Sequence, residues 1–533
     1  MMGETMRAAE ASADRTPSAV VETENGRVQG YVFRGISIFR GLPYGAPTSG
    51  SARFLPPRPP LPWHGVRAAR HYGETAPQAP GPLAEGGTPG DRPAIGEDCL
   101  RLNIWTPAAD QAARPVMVWL HGGGFEAGSG SSMLYDGVNL CRRGDVVAVS
   151  INHRLGVFGH CHLPEFAGAD FAGSANAGFL DIVAALRWVR TNIAGFGGNP
   201  ANVTIYGQSG GGRKVSLALA APVASGLFHR AVVQSGSHLR LMSAERAGDL
   251  AERLLYELQI KPAETRRLQS LPVDQLLRAG AAVAEATGLR FSPTLDQTVF
   301  TCHPWDPAAP QFAADIPMMI GTCRTELSSF LSAADPAVFS LDEAGLARRL
   351  ENLVPREDIA DLTRLFQRTN PQANPAELLF KIGTARGYWR DSVLQTERKA
   401  VLGAAPVYSW RLMWRTPVDG GRLITPHSLD LPFVFDNVTK APLLAGPPGA
   451  ETASLARAMS ESWLAFARTG DPNNAAIPEW RPYELARRDV MLFDTVSASV
   501  ADPLREERLA MARYPTQQLG RTLNPSGPAW AMA

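Results

Sequence analysis

The chain has 533 residues, 45% of them hydrophobic and 19% charged, which excludes a largely disordered chain and allows a sizeable core. Lys and Arg number 52 against 51 Asp and Glu, a formal charge of +1, so no broad basic face is available for phosphate backbones and no nucleic-acid partner is expected. Glycine (50) and proline (43) are abundant without a Gly-x-y period, which excludes collagen and marks many loops and turns on a rigid core.

Residues 1–18 are polar and alanine-rich, with none of the apolar stretch of a secretory signal, and read as a disordered tail. Residues 20–45 alternate as short strands do. Residues 47–63 form a proline-rich loop, and 76–96 an irregular Gly/Pro-rich loop. Strands are expected at 102–105, at 115–120 and at 146–151, and a helix at 184–193 with Trp188 and Val189 on its core side. A strand at 203–206 meets Gly207, a small-residue helix follows over 210–221, and 231–234 is again strand-like. Later strands are expected at 317–320 and 407–410, and a helix at 453–467. Apolar strands alternating with helices imply a mostly parallel sheet covered on both faces, an α/β class. Amphipathic helical stretches near 245–282 and 341–370 interrupt that rhythm and read as insertions. With no repeats and no long linker, residues 19–533 are expected to form one elaborated domain.

The five cysteines, Cys99, Cys141, Cys161, Cys302 and Cys323, are scattered and lack Cys-x-x-Cys spacing. No metal site is expected, and a reducing, cytoplasmic compartment fits. No apolar run approaches a membrane span, so no membrane association is expected.

Tyr206-Gly207-Gln208-Ser209-Gly210-Gly211 contains Gly-x-Ser-x-Gly between a β-branched strand and a small-residue helix. That context permits a sharp strand-to-helix turn, with the serine at a helix N-terminus where free N–H groups favour developing negative charge. Ser209 is the candidate nucleophile. A phosphate loop is not supported, because Lys214 and Ser216 do not complete the Gly-Lys-Ser/Thr ending. His121-Gly122-Gly123-Gly124 directly follows a buried strand. The backbone N–H groups of Gly123, Gly124 and Gly210 are the candidate oxyanion hole.

A serine hydroxyl needs a base, and in this strand–turn–helix arrangement the chain order is Ser, acid, His. His229, His238, His303 and His427 follow Ser209. His427 sits in a loop fixed by Pro426 and Pro432. His229 lies beside a strand start, where it packs or caps, and His303 is a weaker rival. For the acid, Glu326 emerges just after a predicted strand and Asp296 is its rival; the residues alone leave both open.

These residues resemble the type-B carboxylesterase family, which includes cholinesterases and bacterial p-nitrobenzyl esterases. The resemblance runs from about residue 20 to at least Phe493. It covers Glu97-Asp98-Cys99-Leu100-Arg101-Leu102-Asn103, the 120–125 and 152–159 segments, Asn192 to Pro200, Gln234-Ser235-Gly236-Ser237 and Phe466 to Asn473. It implies an α/β-hydrolase fold and a serine carboxylesterase acting on small to medium aryl or alkyl esters through an acyl-enzyme. It implies Glu326 as the orienting acid and His427 as general base and acid, with no metal or organic cofactor. An amidase, carbamate hydrolase or thioesterase could use the same centre, and a non-catalytic cholinesterase-like binding protein is a further alternative. Two positions depart from the family: Gln208 and Gly210 stand where Glu and Ala are common. The 76–96 loop lacks tryptophan, so choline esters are not expected, since a quaternary ammonium needs such a ring. Cys99 matches a family cysteine often in a disulfide, but its partner position is Ala76, which implies a free buried thiol. Glu97 is expected to be a structural ion-pair partner of Arg53. Phe125, Gln208, Phe291, Phe330 and Phe433 are candidate pocket residues. The expected assembly is a monomer or small homo-oligomer.

Overall fold

The structure, a computed structural model, describes residues 15–80 and 93–517. Most of the tail reading and part of the 76–96 loop reading therefore lie outside the described residues.

Twelve strands form the main path of the sheet: β1 (Thr16–Thr23), β2 (Gly26–Phe33), β3 (Ile36–Pro43), β4 (Arg101–Thr106), β5 (Arg114–Leu120), β6 (Val147–Ile151), β7 (Gly198–Gln208), β8 (Arg230–Gln234), β9 (Met318–Cys323), β10 (Val407–Leu412), β11 (Asp489–Phe493) and β12 (Ala498–Ala501). Their order is β1-β2-β3-β4-β6-β5-β7-β8-β9-β10-β11-β12, with the short strand Val66–Ala68 beside β2. From β6 to β11 every neighbouring pair is parallel, and the two margins are antiparallel. The sheet is thus mixed at its edges and parallel where the site forms.

β1 begins at Thr16, so Thr16–Ser18 belong to the sheet and not to the expected tail. The apolar pattern there is weak. Backbone pairing and Ser18 hold it instead: Ser18 Oγ accepts from Gly30 N at 2.9 Å, and its carbonyl accepts from Gln29 Nε2 at 3.0 Å.

The central strands read with period two. Val116, Val118, Leu120, Val203, Ile205, Ala231 and Val233 face one layer, where helix α1 (Ala177–Asn192) packs with Phe179, Ile182, Leu186 and Val189. Met117, Trp119, Tyr206 and Val232 face the other, where α3 (Ala450–Thr469) packs with Leu455, Met459 and Trp463. Between them in sequence, α2 (Gly210–Ala218) follows β7 directly. The two stretches read as insertions fold as helices over separate apolar clusters: Ala244–Glu257 and Val273–Thr287 over one, Glu343–Leu350, Ile359–Thr369 and Pro375–Thr384 over the other. The first is tied to the sheet margin by Arg53. Its Nε and Nη2 donate to Glu97 at 2.7 and 2.6 Å, and its Nη1 donates to the carbonyls of Leu268 and Leu271. Glu97 therefore has the structural partner the sequence named.

Candidate active site

The site is built where β7 turns into α2. Ser209 has φ 58° and ψ −125°, a conformation that L-residues rarely adopt and that surrounding structure must impose. The turn is imposed by close backbone packing: a Cβ at Gly207 would meet the Gly211 carbonyl carbon at 2.5 Å, and one at Gly211 would run into the Leu120 carbonyl. Ser209 N donates to Gln234 O at 2.8 Å, locking the turn to β8.

The glycine loop leaves the end of β5, next to β7 in the sheet. Gly123 and Gly124 have φ of 90° and 67°, which glycine accepts without strain. The loop lies hard against the start of α2, since a Cβ on Gly210 would sit 2.6 Å from Gly124 Cα and nearer still to its N and O. Behind it, buried Lys214 donates from Nζ to His121 O at 2.9 Å. Burial, with Arg213 adding to it, draws the Lys214 ammonium down to about 7. His121 stacks on His153 at 4.7 Å. Burial and then Lys214 hold both imidazoles well below their ordinary value, so His121 is neutral and supports the loop.

Glu326 follows β9 and opens the helix Leu327–Ala334; its side chain is fully buried. Oε1 accepts from Ser235 Oγ at 2.6 Å and from Cys323 N at 2.7 Å. Oε2 accepts from His427 Nδ1 at 2.5 Å. The two loops are stitched by Thr325 and Thr425: Thr425 N donates to Thr325 Oγ1, and Thr325 N to Thr425 O. Phe330 and Tyr388 pack on the His427 ring, with centroids 4.9 and 5.3 Å away. This places the second imidazole nitrogen outward, where Gln208 Nε2 lies 3.2 Å from it; Gln208 Oε1 accepts from Ser428 Oγ at 3.2 Å. Among the described residues no hydrogen bond joins Ser209 Oγ to His427. The Gln208 amide occupies that position.

Asp296 is elsewhere engaged. Its Oδ1 accepts from the N–H groups of Thr298, Val299 and Phe300, the signature of a local turn. His229 Nδ1 accepts from Val203 N, and His303 Nδ1 from Leu241 N.

The whole arrangement sits on a chain whose residues 17–512 match the Carboxylesterase family. The chain belongs to the carboxylesterase family. It is 34% identical to the para-nitrobenzyl esterase of Bacillus subtilis, covering 92% of this chain and 97% of that protein. It is 33% identical to the phenmedipham hydrolase of Pseudarthrobacter oxydans, covering 91% and 97%. Among solved structures, a carboxylesterase of Geobacillus stearothermophilus matches with a TM-score of 0.80 and 40% identity, over 92% of this chain and 99% of that one. The protein is a carboxylic ester hydrolase with the α/β-hydrolase fold.

Of the five candidate pocket residues, four lie at the site of this carboxylesterase. Gln208 and Phe330 touch His427, while Phe125 and Phe291 line a recess beside Gly124. Phe433 does not. It is fully buried against Trp414 in the core layer, because the short helix Leu431–Val434 turns that ring inward. Sequence reasoning missed Ser235, Tyr388, Asp430 and Arg213. Ser235 lay inside a segment already matched to the family. Tyr388, in the helical segment Ala385–Trp389 far along the chain, carries no local signal. Asp430 is buried and accepts from Gln234 Nε2 at 2.6 Å. Burial first, and the Glu326 charge with it, pushes its carboxyl up to about 6. Among the described residues no group of three or more His, Cys, Asp or Glu is arranged to hold a metal ion, and no helix is long and apolar enough to cross a membrane.

Proposed function

We propose that this carboxylesterase cleaves small to medium aryl or alkyl esters through an acyl-enzyme on Ser209. The observation that carries the reading is the buried 2.5 Å contact between His427 Nδ1 and Glu326 Oε2 beside the strained Ser209 turn. With Nδ1–H given to Glu326, the other ring nitrogen presents its lone pair, the form a general base needs. The Gln208 amide gives way to the Ser209 hydroxyl there. His427 takes the hydroxyl proton as Oγ attacks the carbonyl carbon. The N–H groups of Gly123, Gly124 and Gly210 receive the oxyanion. The imidazolium gives its proton to the departing alcohol. Water, deprotonated in turn by His427, then releases the acid and restores Ser209. Glu326 orients the imidazole and offsets its charge; Ser235 and Cys323 N hold Glu326 in place.

We place the enzyme in the cytoplasm as a monomer or small homo-oligomer, with the chain from Thr16 onward working as one elaborated domain. Support for the compartment is that all five cysteines are free thiols, four of them buried. Hydrolysis of 4-nitrophenyl acetate by the wild type and by Ser209→Ala tests the mechanism. The variant should lose at least about 10³-fold in kcat; turnover equal to wild type would sink it.

A further inference from the structure

A small recess opens beside the oxyanion loop, lined by Gly124, Phe125, Glu126, Arg213, His238, Arg290, Phe291 and Ser292. Its walls come from the oxyanion loop, the start of α2, His238 and the 290–292 segment, and none of His427, Gln208 or Ser428 contributes. A departing alcohol must lie against His427, which protonates it. The recess, which includes Gly124 and none of the residues around His427, is left for the acyl group.

The charge in this recess is unusual for an ester pocket. Arg290 faces Glu126 at 3.5 Å, so that pair is close to neutral. Arg213 is one helical turn beyond Ser209 and half-buried; its backbone N donates to Ser209 O, but its guanidinium has neither an ion pair nor a hydrogen bond among the described residues. The carboxylate that feels its charge, Asp391, is fully buried, and burial pushes that carboxyl up to about 7. A guanidinium held in a low-dielectric cleft with no anion of its own is a site short of one negative charge. A second group is also unspent. His238 is 3% exposed, and its Nδ1 has no hydrogen-bond partner. Burial draws its imidazole down to about 3, so it is neutral and carries an N–H for donation. Phe125 and Phe291 supply apolar walls beside these polar groups.

Resting on the esterase reading, we infer that the acyl recess selects monoesters of short dicarboxylic acids, whose free carboxylate pairs with Arg213 and accepts from His238. The ester carbonyl carbon reaches Ser209 while the second carboxylate lies in the recess. Cleavage releases the alcohol and leaves a carboxylate-bearing acyl group on Oγ. Water then breaks that bond, giving the dicarboxylic acid and free Ser209.

The test compares monoethyl succinate with ethyl 4-methylpentanoate, in which an isopropyl group replaces the carboxylate, by ethanol release. The wild type should favour the anionic ester in kcat/KM by about tenfold or more, as expected for a charge-assisted contact in a cleft. Arg213→Met should lower that ratio by about tenfold, mainly through KM, and Arg213→Lys should restore part of it. A second measurement needs no variant: succinate should inhibit 4-nitrophenyl acetate hydrolysis competitively and better than butyrate at equal ionic strength. A wild-type preference for the neutral ester, a ratio unchanged in Arg213→Met, or butyrate matching succinate would overturn the assignment. Hydrolysis of 4-nitrophenyl acetate separates the two levels. If it proceeds while the anionic preference is absent, only the acyl-pocket inference falls. If it does not proceed, the esterase reading falls and takes the inference with it.

Discussion

Gly210→Ala installs the residue common in the family at this position, and it is the most informative single change because it asks whether this chain's glycine loop, packed hard on α2, has room for that methyl group. In the structure the Cβ it adds would lie 2.6 Å from Gly124 Cα, with Gly124 N and O closer still. Carbon atoms need about 3.5 Å, so the two segments must separate by about 0.9 Å at least. All three obstructing atoms are backbone, and α2 is pinned by Ser209 N to Gln234 O and by packing of Gly211 against Leu120. The glycine loop therefore moves. In the proposed mechanism its donors act on the oxyanion, which exists only as the transition state forms, so the loss should appear in kcat with little change in KM. Losing the alignment of one donor costs roughly 10²–10³-fold in kcat, or about 3–4 kcal/mol. Steady-state kinetics with 4-nitrophenyl acetate read this directly, with thermal melting to check that overpacking costs only about 1–3 kcal/mol of stability. A variant that keeps its fold and stays within threefold of wild-type kcat would refute the reasoning, because the close Gly124–Gly210 packing would then have no part in holding the donors.

Three further outcomes follow from the same geometry. Gln208→Glu replaces an amide 3.2 Å from the outer His427 nitrogen with a carboxylate, which favours the imidazolium; the acid limb of kcat/KM for a neutral ester should move up by about one pH unit or more, and a downward move contradicts the contact. Asp181→Ala strips the partner from Arg154, a pair joined at 2.6 Å with both side chains almost fully buried; urea unfolding should show a loss of about 3–5 kcal/mol, and a loss under about 1 kcal/mol would count against it. Asp430 binds its proton more tightly folded, at about 6, than unfolded, at about 3.9. The folded state thus holds the extra proton between those values, and this group's contribution to stability falls as pH rises through that window. The fall is on the order of 3 kcal/mol, and Asp430→Asn should flatten it in urea titrations at pH 4 and pH 7.

The parts legible in the sequence are those whose cause is local. The Ser209 turn needs a strand, two glycines and a helix within a dozen residues, and the oxyanion loop needs a buried strand ending in glycines. Both could be read directly. The parallel centre was legible for the same reason, since its strands are dense apolar runs. The margins were not. β12 is an exposed edge without an apolar period, and the helix Arg390–Leu402 buries Asp391, Ser392, Gln395, Thr396 and Lys399, so no hydrophobic stripe announces it. The acid was open between Glu326 and Asp296 because each follows a short strand and carries the same chemistry. What separates them is partnership. Asp296 Oδ1 is occupied by three nearby N–H groups, whereas Glu326 meets a histidine 101 positions away. Composition and spacing do not encode such a contact; only the family resemblance favoured it beforehand. Phe433 failed for a related reason, since proximity to His427 in sequence says nothing of which way a ring turns.

Gln208, one of the two departures from the family pattern, gains a meaning together with Arg213 once the charges are placed. A glutamate at position 208 would put a carboxylate about 3 Å from the base, suiting cationic substrates and repelling anionic ones. Gln208 removes that charge while keeping a side chain that spans Ser428 and His427. Five residues on, Arg213 places a cation whose side chain has no ion-pair partner among the described residues. Both features raise the potential around Ser209 in the same direction. Both also sit on the strand–turn–helix unit that carries the nucleophile, whose spacing is fixed by backbone contact. Lys214, drawn down to about 7, is partly charged near neutral pH and adds to the same field from behind the loop. On the inferred acyl assignment, a neutral residue at position 208 and the unpaired Arg213 guanidinium make charge the basis of selection. Ionic strength then discriminates. Added salt should raise KM for an anionic ester and leave a neutral one nearly unchanged, because screening acts on the charge contact alone.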